Sequence, residues 1–125
     1  MDYKLNPSEW RVLQTLWGHA PQTLMQLVGK LKESMGWAKS TTTTMVHRME
    51  EKGLIVSEQS GKAKEFYPNV DQKEATARET RSFLDRVYKG SVGLMMSAMA
   101  EKQELSQDEI AQLYTILKEA EGKQP

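Results

Sequence analysis

Residues 37–55 have the sequence WAKSTTTTMVHRMEEKGLI, and residues 56–68 continue it with VSEQSGKAKEFYP. The first segment predicts a helix that starts near Lys39 and stops at Gly53, because glycine readily adopts the left-handed conformation that ends a helix. The second segment has apolar residues on either side of Gly61, which is the pattern of a β-hairpin with a glycine turn. A helix that leads directly into a hairpin indicates a winged helix-turn-helix.

Four consecutive threonines, Thr41 to Thr44, are unusual inside a helix, because β-branched side chains lose rotamer freedom there. Helical spacing puts one face of this helix against the core, with Thr42, Met45, Val46 and Met49 on it. Short hydroxyls and basic side chains make up the remaining surface: Lys39, Ser40, Thr41, Thr43, Thr44, His47 and Arg48. A short hydroxyl lets a helix lie close to a phosphate or a thymine methyl, and arginine can reach a guanine edge. We expect this surface to bind DNA, although a threonine-rich strand or a plain surface helix would also fit the residues.

Two lysines, Lys62 and Lys64, lie near the tip of the predicted hairpin. They would suit contact with the minor groove or the DNA backbone, which is the role of a wing beside a recognition helix. Lysines on a hairpin are more often solvated charges, so this prediction depends on their position directly after the threonine-rich helix.

The charge of the chain gives little support to nucleic-acid binding, because the net charge is zero and phosphate contacts need Lys and Arg. Residues 1–70 carry nine basic and seven acidic side chains, whereas residues 71–125 carry eight and ten. Any positive surface must therefore be local.

Two further helices are predicted before the threonine-rich one. Asn6 is a suitable N-cap, Pro7 fits the first helical position, and Glu9 lies three residues after the cap. A second helix is predicted from about Gln22 to Ser34, and Met35-Gly36 ends it. Residues 1–70 are therefore expected to form a winged helix domain with a small β-hairpin wing.

Residues 71–125 are expected to form a helical dimerisation domain, so that the whole chain is mainly α, in the α+β class. Helices are predicted from about Gln72 to Lys89, from Ser91 to Lys102 and after Ser106. Three helices are too few for a core of their own, because a single core below roughly 70 residues is marginal. Dimerisation is predicted through the apolar positions Phe83, Leu84, Val87, Tyr88, Leu94, Met95, Met99, Ile110, Leu113, Ile116 and Leu117. A dimer would place two recognition helices on a twofold axis, where they can read an inverted repeat.

The residues argue against an enzyme and give no cofactor or metal site. The chain has no cysteine, which excludes thiol nucleophiles and cysteine-ligated metals. His19 and His47 lie in different predicted segments, and no carboxylate has the spacing of a relay or a metal site. Gly29-Lys30 is followed by leucine, where a phosphate-binding loop needs Ser or Thr.

No apolar run approaches the roughly 18 residues of a membrane-spanning helix. The first residues, Met1 to Lys4, lack the charged and apolar regions of a signal peptide. We therefore expect a cytoplasmic protein that does not insert into a membrane.

Several motifs resemble the penicillinase repressor family, BlaI/MecI/CopY, in their order and spacing. They are LNPSEW at residues 5–10, LW at 16–17, WAKST at 37–41, RM at 48–49, KGLI at 52–55 and FYP at 66–68. The tail motifs VYKG at 87–90 and ELSQDEI at 104–110 are similar to the β-lactam-resistance branch. The resemblance covers nearly the whole chain.

This resemblance implies a dimeric transcriptional repressor that binds double-stranded DNA at an inverted-repeat operator and controls antibiotic-resistance genes. The recognition helix would be Lys39–Glu51, with the best DNA contacts at Ser40, Thr41, Thr44 and Arg48. In the β-lactam branch, a membrane sensor-protease pathway triggers cleavage of the repressor, typically at Asn-Phe. Ala98-Met99 stands at the corresponding proteolytic position, which departs from that pattern. The cysteine motif of the copper-responsive branch is missing, so copper sensing through thiolates is not expected.

A different class of function stays open from the sequence. A winged helix can serve as a protein–protein adaptor, and an exposed methionine-rich surface would suit a pliable partner site. Salt distinguishes the two classes, because binding through phosphates weakens steeply as salt rises, whereas an apolar protein contact does not.

Overall fold

The computed structural model describes residues 4–125, in which six helices and three short strands form. In chain order these are α1 Pro7–Gly18, β1 Gln22–Thr23, α2 Leu24–Met35, α3 Lys39–Glu51, β2 Ile55–Ser60, β3 Ala63–Pro68, α4 Gln72–Tyr88, α5 Val92–Glu101 and α6 Gln107–Gly122. The predicted fold class, mainly α with a small antiparallel sheet, is confirmed. The chain divides into two compact units, the first ending at Thr76 and the second beginning at Ala77.

Helix α1 begins as its capping residues predict. The side chain of Asn6 accepts a hydrogen bond from the backbone N–H of Glu9 at 2.8 Å, and Glu9 Oε1 accepts one from the N–H of Asn6 at 2.9 Å. These reciprocal bonds satisfy backbone donors that have no partner within the helix. The face that includes Leu13 and Leu16 is buried.

Helix α2 starts later than the sequence predicts, at Leu24 instead of Gln22. Thr23 is its N-cap: the hydroxyl accepts from Gln26 N at 3.2 Å, and Gln26 Oε1 accepts from Thr23 N at 2.8 Å. An N-cap residue has extended backbone angles, so Gln22 and Thr23 are available for strand pairing. They form β1, which pairs with β3 through Gln22 opposite Phe66. The wing is thus part of a three-stranded sheet in the order β1-β3-β2.

The predicted hairpin is present as β2 and β3. The strands pair antiparallel, from Ile55 opposite Pro68 to Ser60 opposite Ala63. Gly61 lies in the turn with a φ of 62°, a conformation that side chains other than glycine's rarely adopt. Ile55 is buried at the base of the hairpin, whereas the distal half of the hairpin is exposed.

The core of the first unit draws on every helix from α1 to α3 and on the hairpin. Its buried apolar side chains are Leu5, Val12, Leu13, Leu16, Leu27, Leu31, Val46, Met49, Leu54, Ile55, Phe66, Val70 and Ala75. Trp17 adds a hydrogen bond from its indole Nε1 to the carbonyl of Val70, at 3.0 Å, and packs edge-on against Trp10. This core fixes α3 against α1 and the hairpin.

The second unit is formed by helices whose apolar side chains are largely uncovered. Among residues 77–125, all of which the structure describes, Leu84 alone is buried. Ser106 caps α6, and its backbone N–H and hydroxyl both bond to Glu109, which lowers the pKa of that carboxyl. None of the helices described for residues 4–125 is long and apolar enough to cross a membrane.

Candidate nucleic-acid interface

Tight turns set both ends of α3. Before it, Gly36 adopts a left-handed conformation and donates its N–H to the end of α2. After it, Gly53 N bonds to Glu50 O at 3.0 Å, and Leu54 N bonds to Met49 O at 2.9 Å. This pair of bonds is a Schellman motif, and the burial of Leu54 and Met49 supplies the apolar contact that accompanies it. The start near Lys39 and the glycine stop are as predicted.

The inner face of α3 matches the prediction from helical spacing. Thr42, Val46 and Met49 are buried, and Met45 is partly buried against the core. The Thr42 hydroxyl has no hydrogen-bond partner among the described residues. Because Met49 packs in the core, the methionines of α3 do not form the exposed methionine-rich surface that an adaptor would need.

The outer face of α3 presents the residues that were predicted to bind DNA. Lys39, Ser40, Thr41, Thr43, Thr44, His47 and Arg48 are all exposed. Thr43 donates its hydroxyl to the carbonyl of Lys39 at 2.8 Å, so this group bonds back to its own helix. His47 Nε2 lies 3.8 Å from the carboxylate of Glu51, one turn along.

An open depression of about 440 Å³ brings four of these residues together with others that the sequence did not indicate. It is lined by Ser8, Trp37, Ser40, Thr41, Thr44, Met45 and Arg48. Ser8 comes from the first turn of α1, and Trp37 from the turn before α3. Neither was predicted to be in the site. The proximity of Ser8 to Arg48 depends on how α1 packs on α3. The depression has hydroxyls and one guanidinium on its polar side, and indole and thioether groups on its apolar side.

The wing lysines are exposed, and one of them has a partner on α3. Lys64 Nζ lies 3.3 Å from Oε1 of Glu50 and 5.7 Å from the centre of the Phe66 ring. The other carboxylate oxygen of Glu50 accepts a hydrogen bond from the hydroxyl of Ser57. The bond from Ser57, with the hydrogen bond and charge of Lys64, lowers the pKa of Glu50 despite its partial burial. This cluster was not predicted, because Ser57 and Lys64 reach Glu50 only through the packing of the hairpin on α3.

A second ion pair joins the start of α1 to the end of α3. Lys52 Nζ lies 2.7 Å from Oε2 of Glu9, whose other oxygen accepts the capping bond from Asn6. The sequence predicts Glu9 only as the capping-box partner of Asn6. Its link to Lys52 fixes the C-terminal end of the predicted recognition helix relative to α1.

The residues predicted for dimerisation differ in their exposure. Phe83, Val87, Leu94, Ile110, Ile116 and Leu117 are exposed, Tyr88, Met95, Met99 and Leu113 are partly buried, and Leu84 is buried within the chain. An apolar groove of about 420 Å³ lies between α5 and α6, lined by Val92, Met96, Ala100, Leu105, Ile110, Leu113, Tyr114 and Leu117. Ala98 and Met99, at the position implied for proteolysis, are partly buried residues inside α5.

The part of the chain that the structure describes has no group of three or more His, Cys, Asp or Glu side chains that could hold a metal ion. The pKa of Glu50 is lowered through its contacts with the wing. The functional groups that this surface offers to a ligand are thus hydroxyls, one guanidinium, lysines and aromatic rings.

Helices α1 to α3, with the sheet that flanks them, define a winged helix protein. The outer face of α3 is the face that such proteins present to DNA. The chain belongs to the penicillinase repressor family, whose family model matches residues 5–119. The family that the motifs indicated is therefore confirmed.

Two relatives match over nearly their whole length. The penicillinase repressor of Bacillus licheniformis is 28% identical over 120 residues, which cover 96% of this chain and 94% of that protein. The methicillin resistance regulatory protein MecI of Staphylococcus aureus is 27% identical over 115 residues, covering 92% and 94%. Among solved structures, the monomeric form of Bacillus licheniformis BlaI in complex with the blaP half-operator has a TM-score of 0.53 and 22% identity, over 58% of this chain and 88% of that one. This likeness supports the winged helix fold.

Proposed function

We propose that the protein is a homodimeric, sequence-specific DNA-binding repressor that acts on an inverted-repeat operator. The observation that carries this proposal is the outer face of α3, where exposed hydroxyls and Arg48 surround an open depression. The relatives named as a penicillinase repressor and as a methicillin resistance regulatory protein, and the BlaI complex with a half-operator, support the assignment. Control of antibiotic-resistance genes is the part of the proposal that comes from the names of these relatives.

The side chains around the depression match what DNA offers in the major groove. Arg48 can bond bidentately to a guanine edge, while Ser40 and Thr44 can bond to bases or phosphates at short range. Met45 and the threonine methyl groups provide apolar surface for a thymine methyl. Ser8 lies in the first turn of α1, where the positive end of a helix favours a phosphate. One face thus combines base reading with backbone contact.

The homodimer is proposed from the second unit. Its exposed apolar side chains include Leu94, Ile116 and Leu117, and burying such a side chain fully contributes about 1.5–3 kcal/mol. Large exposed apolar surfaces mark interaction sites in water-soluble domains. A twofold arrangement would present two α3 helices to two half-sites, separated by one helical turn of DNA or a multiple of it.

Release from DNA through a membrane sensor-protease pathway belongs to the same proposal. The structure of α5 determines what such a cleavage would require. Ala98 and Met99 lie inside this helix, so cleavage between them would need the helix to unwind locally. A repressor cut there would keep α3 and the wing but lose α6, which carries the exposed apolar residues Ile116 and Leu117.

The test is a selection of genomic DNA fragments by the purified full-length protein at two salt concentrations, followed by sequencing. Recovery of an inverted repeat, with binding that weakens steeply with salt, is the expected result. Recovery of no preferred sequence, with binding that salt does not change, would overturn the proposal in favour of a protein–protein adaptor. Arg86, which is exposed on α4, gives a charge-matched control for Arg48: Arg86→Ala should leave the recovered sequence unchanged, whereas Arg48→Ala should not.

A further inference from the structure

One carboxylate on α3 contacts both strands of the wing. Glu50 accepts a hydrogen bond from Ser57 on β2 through one oxygen, and its other oxygen lies 3.3 Å from Nζ of Lys64 on β3. The Glu50 side chain is 27% exposed, so solvent screens these contacts only in part. The contacts of Glu50 with Ser57 and Lys64 therefore act as a clasp between helix and wing.

The clasp lies where the wing loses its other support. At its base the hairpin is held by burial of Ile55 and Phe66, and by β1, which pairs with β3 only at Phe66 and Glu65. Beyond that point, residues 58–64 are exposed. A two-stranded hairpin is at best marginally stable in water, so its distal half depends on contacts such as those of Glu50.

Because Glu50 is negatively charged and lies on the proposed recognition helix, two possible roles of this residue predict different effects on DNA binding. A carboxylate near DNA repels phosphates, so loss of the charge by itself should strengthen binding to any DNA. The carboxylate of Glu50 also pairs with Lys64, and without this pairing the full positive charge of Lys64 would be available to DNA. An electrostatic role in DNA binding therefore predicts the opposite effect from a role in holding the wing.

We propose that Glu50 is a positioning residue, which holds the wing against α3 so that both meet the DNA together and the operator is distinguished from other sequences. This inference rests on the proposed DNA-binding function. In this proposal the clasp holds Lys64 beside Glu50. Lys62, in the turn at the tip of the wing, extends toward the DNA backbone. The clasp thus affects selectivity for the operator more than it affects affinity for DNA in general.

The neighbouring residue provides a matched control. Glu51 has the same charge and lies one position further along α3, but it faces His47 and its side chain is 72% exposed. Glu50→Gln and Glu51→Gln remove the same charge from almost the same place. Ser57→Ala complements them, because it removes one bond of the clasp and leaves every charge intact.

The experiment measures two quantities on the full-length protein and these three variants. The first is hydrogen exchange of the backbone amides in residues 57–66. The second is the ratio of affinities for the selected operator and for a shuffled duplex of the same length. For Glu50→Gln and Ser57→Ala we expect exchange to rise and the ratio to fall, each by roughly three- to tenfold, the effect of losing one net hydrogen bond. Glu51→Gln should leave both unchanged, or bind both duplexes more tightly.

The clasp is refuted if Glu50→Gln tightens binding to both duplexes as Glu51→Gln does and wing exchange stays at the wild-type rate. If the wild-type protein selects no DNA sequence, the proposed function fails, and wing exchange in Glu50→Gln still tests the contact with the wing. If Glu50→Gln does not fold, Ser57→Ala carries the same two measurements with the same expected directions.

Discussion

Lys52 Nζ lies 2.7 Å from Oε2 of Glu9, and the Glu9 side chain is 97% removed from solvent, with an exposed fraction of 3%. This carboxylate also receives the capping bond from Asn6, so one side chain completes the start of α1 and contacts the end of α3. A buried charge without its partner is costly. The ion pair therefore links the end of α3, the proposed recognition helix, to a buried carboxylate on α1.

Lys52→Met should destabilise the first unit. The change removes the partner of a buried acceptor, which costs about 1–3 kcal/mol in free energy of unfolding. Because the Lys52 side chain is 56% exposed, we expect the lower part of this range. Urea unfolding measures the effect, with Lys30→Met on the exposed side of α2 as the control. Equal stability of the two variants would mean that the pair contributes nothing to folding.

Arg48→Ala should weaken operator binding by about 1–3 kcal/mol if the guanidinium reads a guanine, and should relax preference at one base position. If Arg48 instead contacts a phosphate, binding should weaken evenly across sequences and the salt slope should fall by about 1. Titrations of DNA with the operator and with single-base variants separate these outcomes. If Arg48→Ala bound the operator as tightly as Arg86→Ala does, Arg48 would not be part of the interface.

The pH dependence of the wing follows from Glu50. Its pKa is lowered in the folded protein, first by the bond from Ser57 and then by Lys64, with a smaller contribution from His47. A carboxyl whose folded pKa is below its unfolded one stabilises the fold at pH above the unfolded value, about 4.3. This stabilisation is lost as the pH falls through the lowered folded value. Amide chemical shifts of residues 57–66 should therefore contain an acid component that Glu50→Gln loses and Glu51→Gln keeps. The difference from the wild type isolates it, because Glu58 and Glu65 are present in all three proteins.

Leu117→Glu should weaken dimerisation without unfolding the protomer. Leu117 is 63% exposed on α6, so a charge there costs little in the single chain but is unfavourable in an apolar interface. We expect at least a tenfold rise in the dimer dissociation constant, measured by sedimentation equilibrium, which corresponds to about 1.4 kcal/mol. Glu119→Gln, on the same helix, is the control. A wild-type protein that stays monomeric at high concentration would instead show that the tail has another partner.

Helical periodicity accounts for most of what could be predicted from the sequence. The inner face of α3, with Val46 and Met49, follows from the 3.6-residue repeat, and the glycine stop at Gly53 follows from local backbone preference. The predicted start of α2 at Gln22 is two residues early, because a polar residue such as Gln22 is compatible with a first helical turn. The capping box of Thr23 decides the boundary, and burial of Gln22 between α1 and the sheet favours the strand.

Contacts between distant residues could not be predicted in this way. Glu9 and Lys52 are far apart in the sequence, and so are Ser8 and Arg48. Whether such residues meet depends on the packing of α1 against α3, which no local pattern contains. Helical periodicity therefore predicts the side chains that face outward on α3, but it does not predict the role of Glu50, whose contacts with Ser57 and Lys64 form only in the folded chain.

The start of α3 differs from that of every other helix in residues 4–125. Asn6, Thr23, Asp71, Ser91 and Ser106 each accept a bond from the first turn of the helix they precede, whereas Ala38 has no side-chain oxygen to offer. A serine in place of Ala38 would stabilise the free protein by about 1 kcal/mol. The chain therefore keeps its least complete helix terminus at the surface proposed to meet DNA.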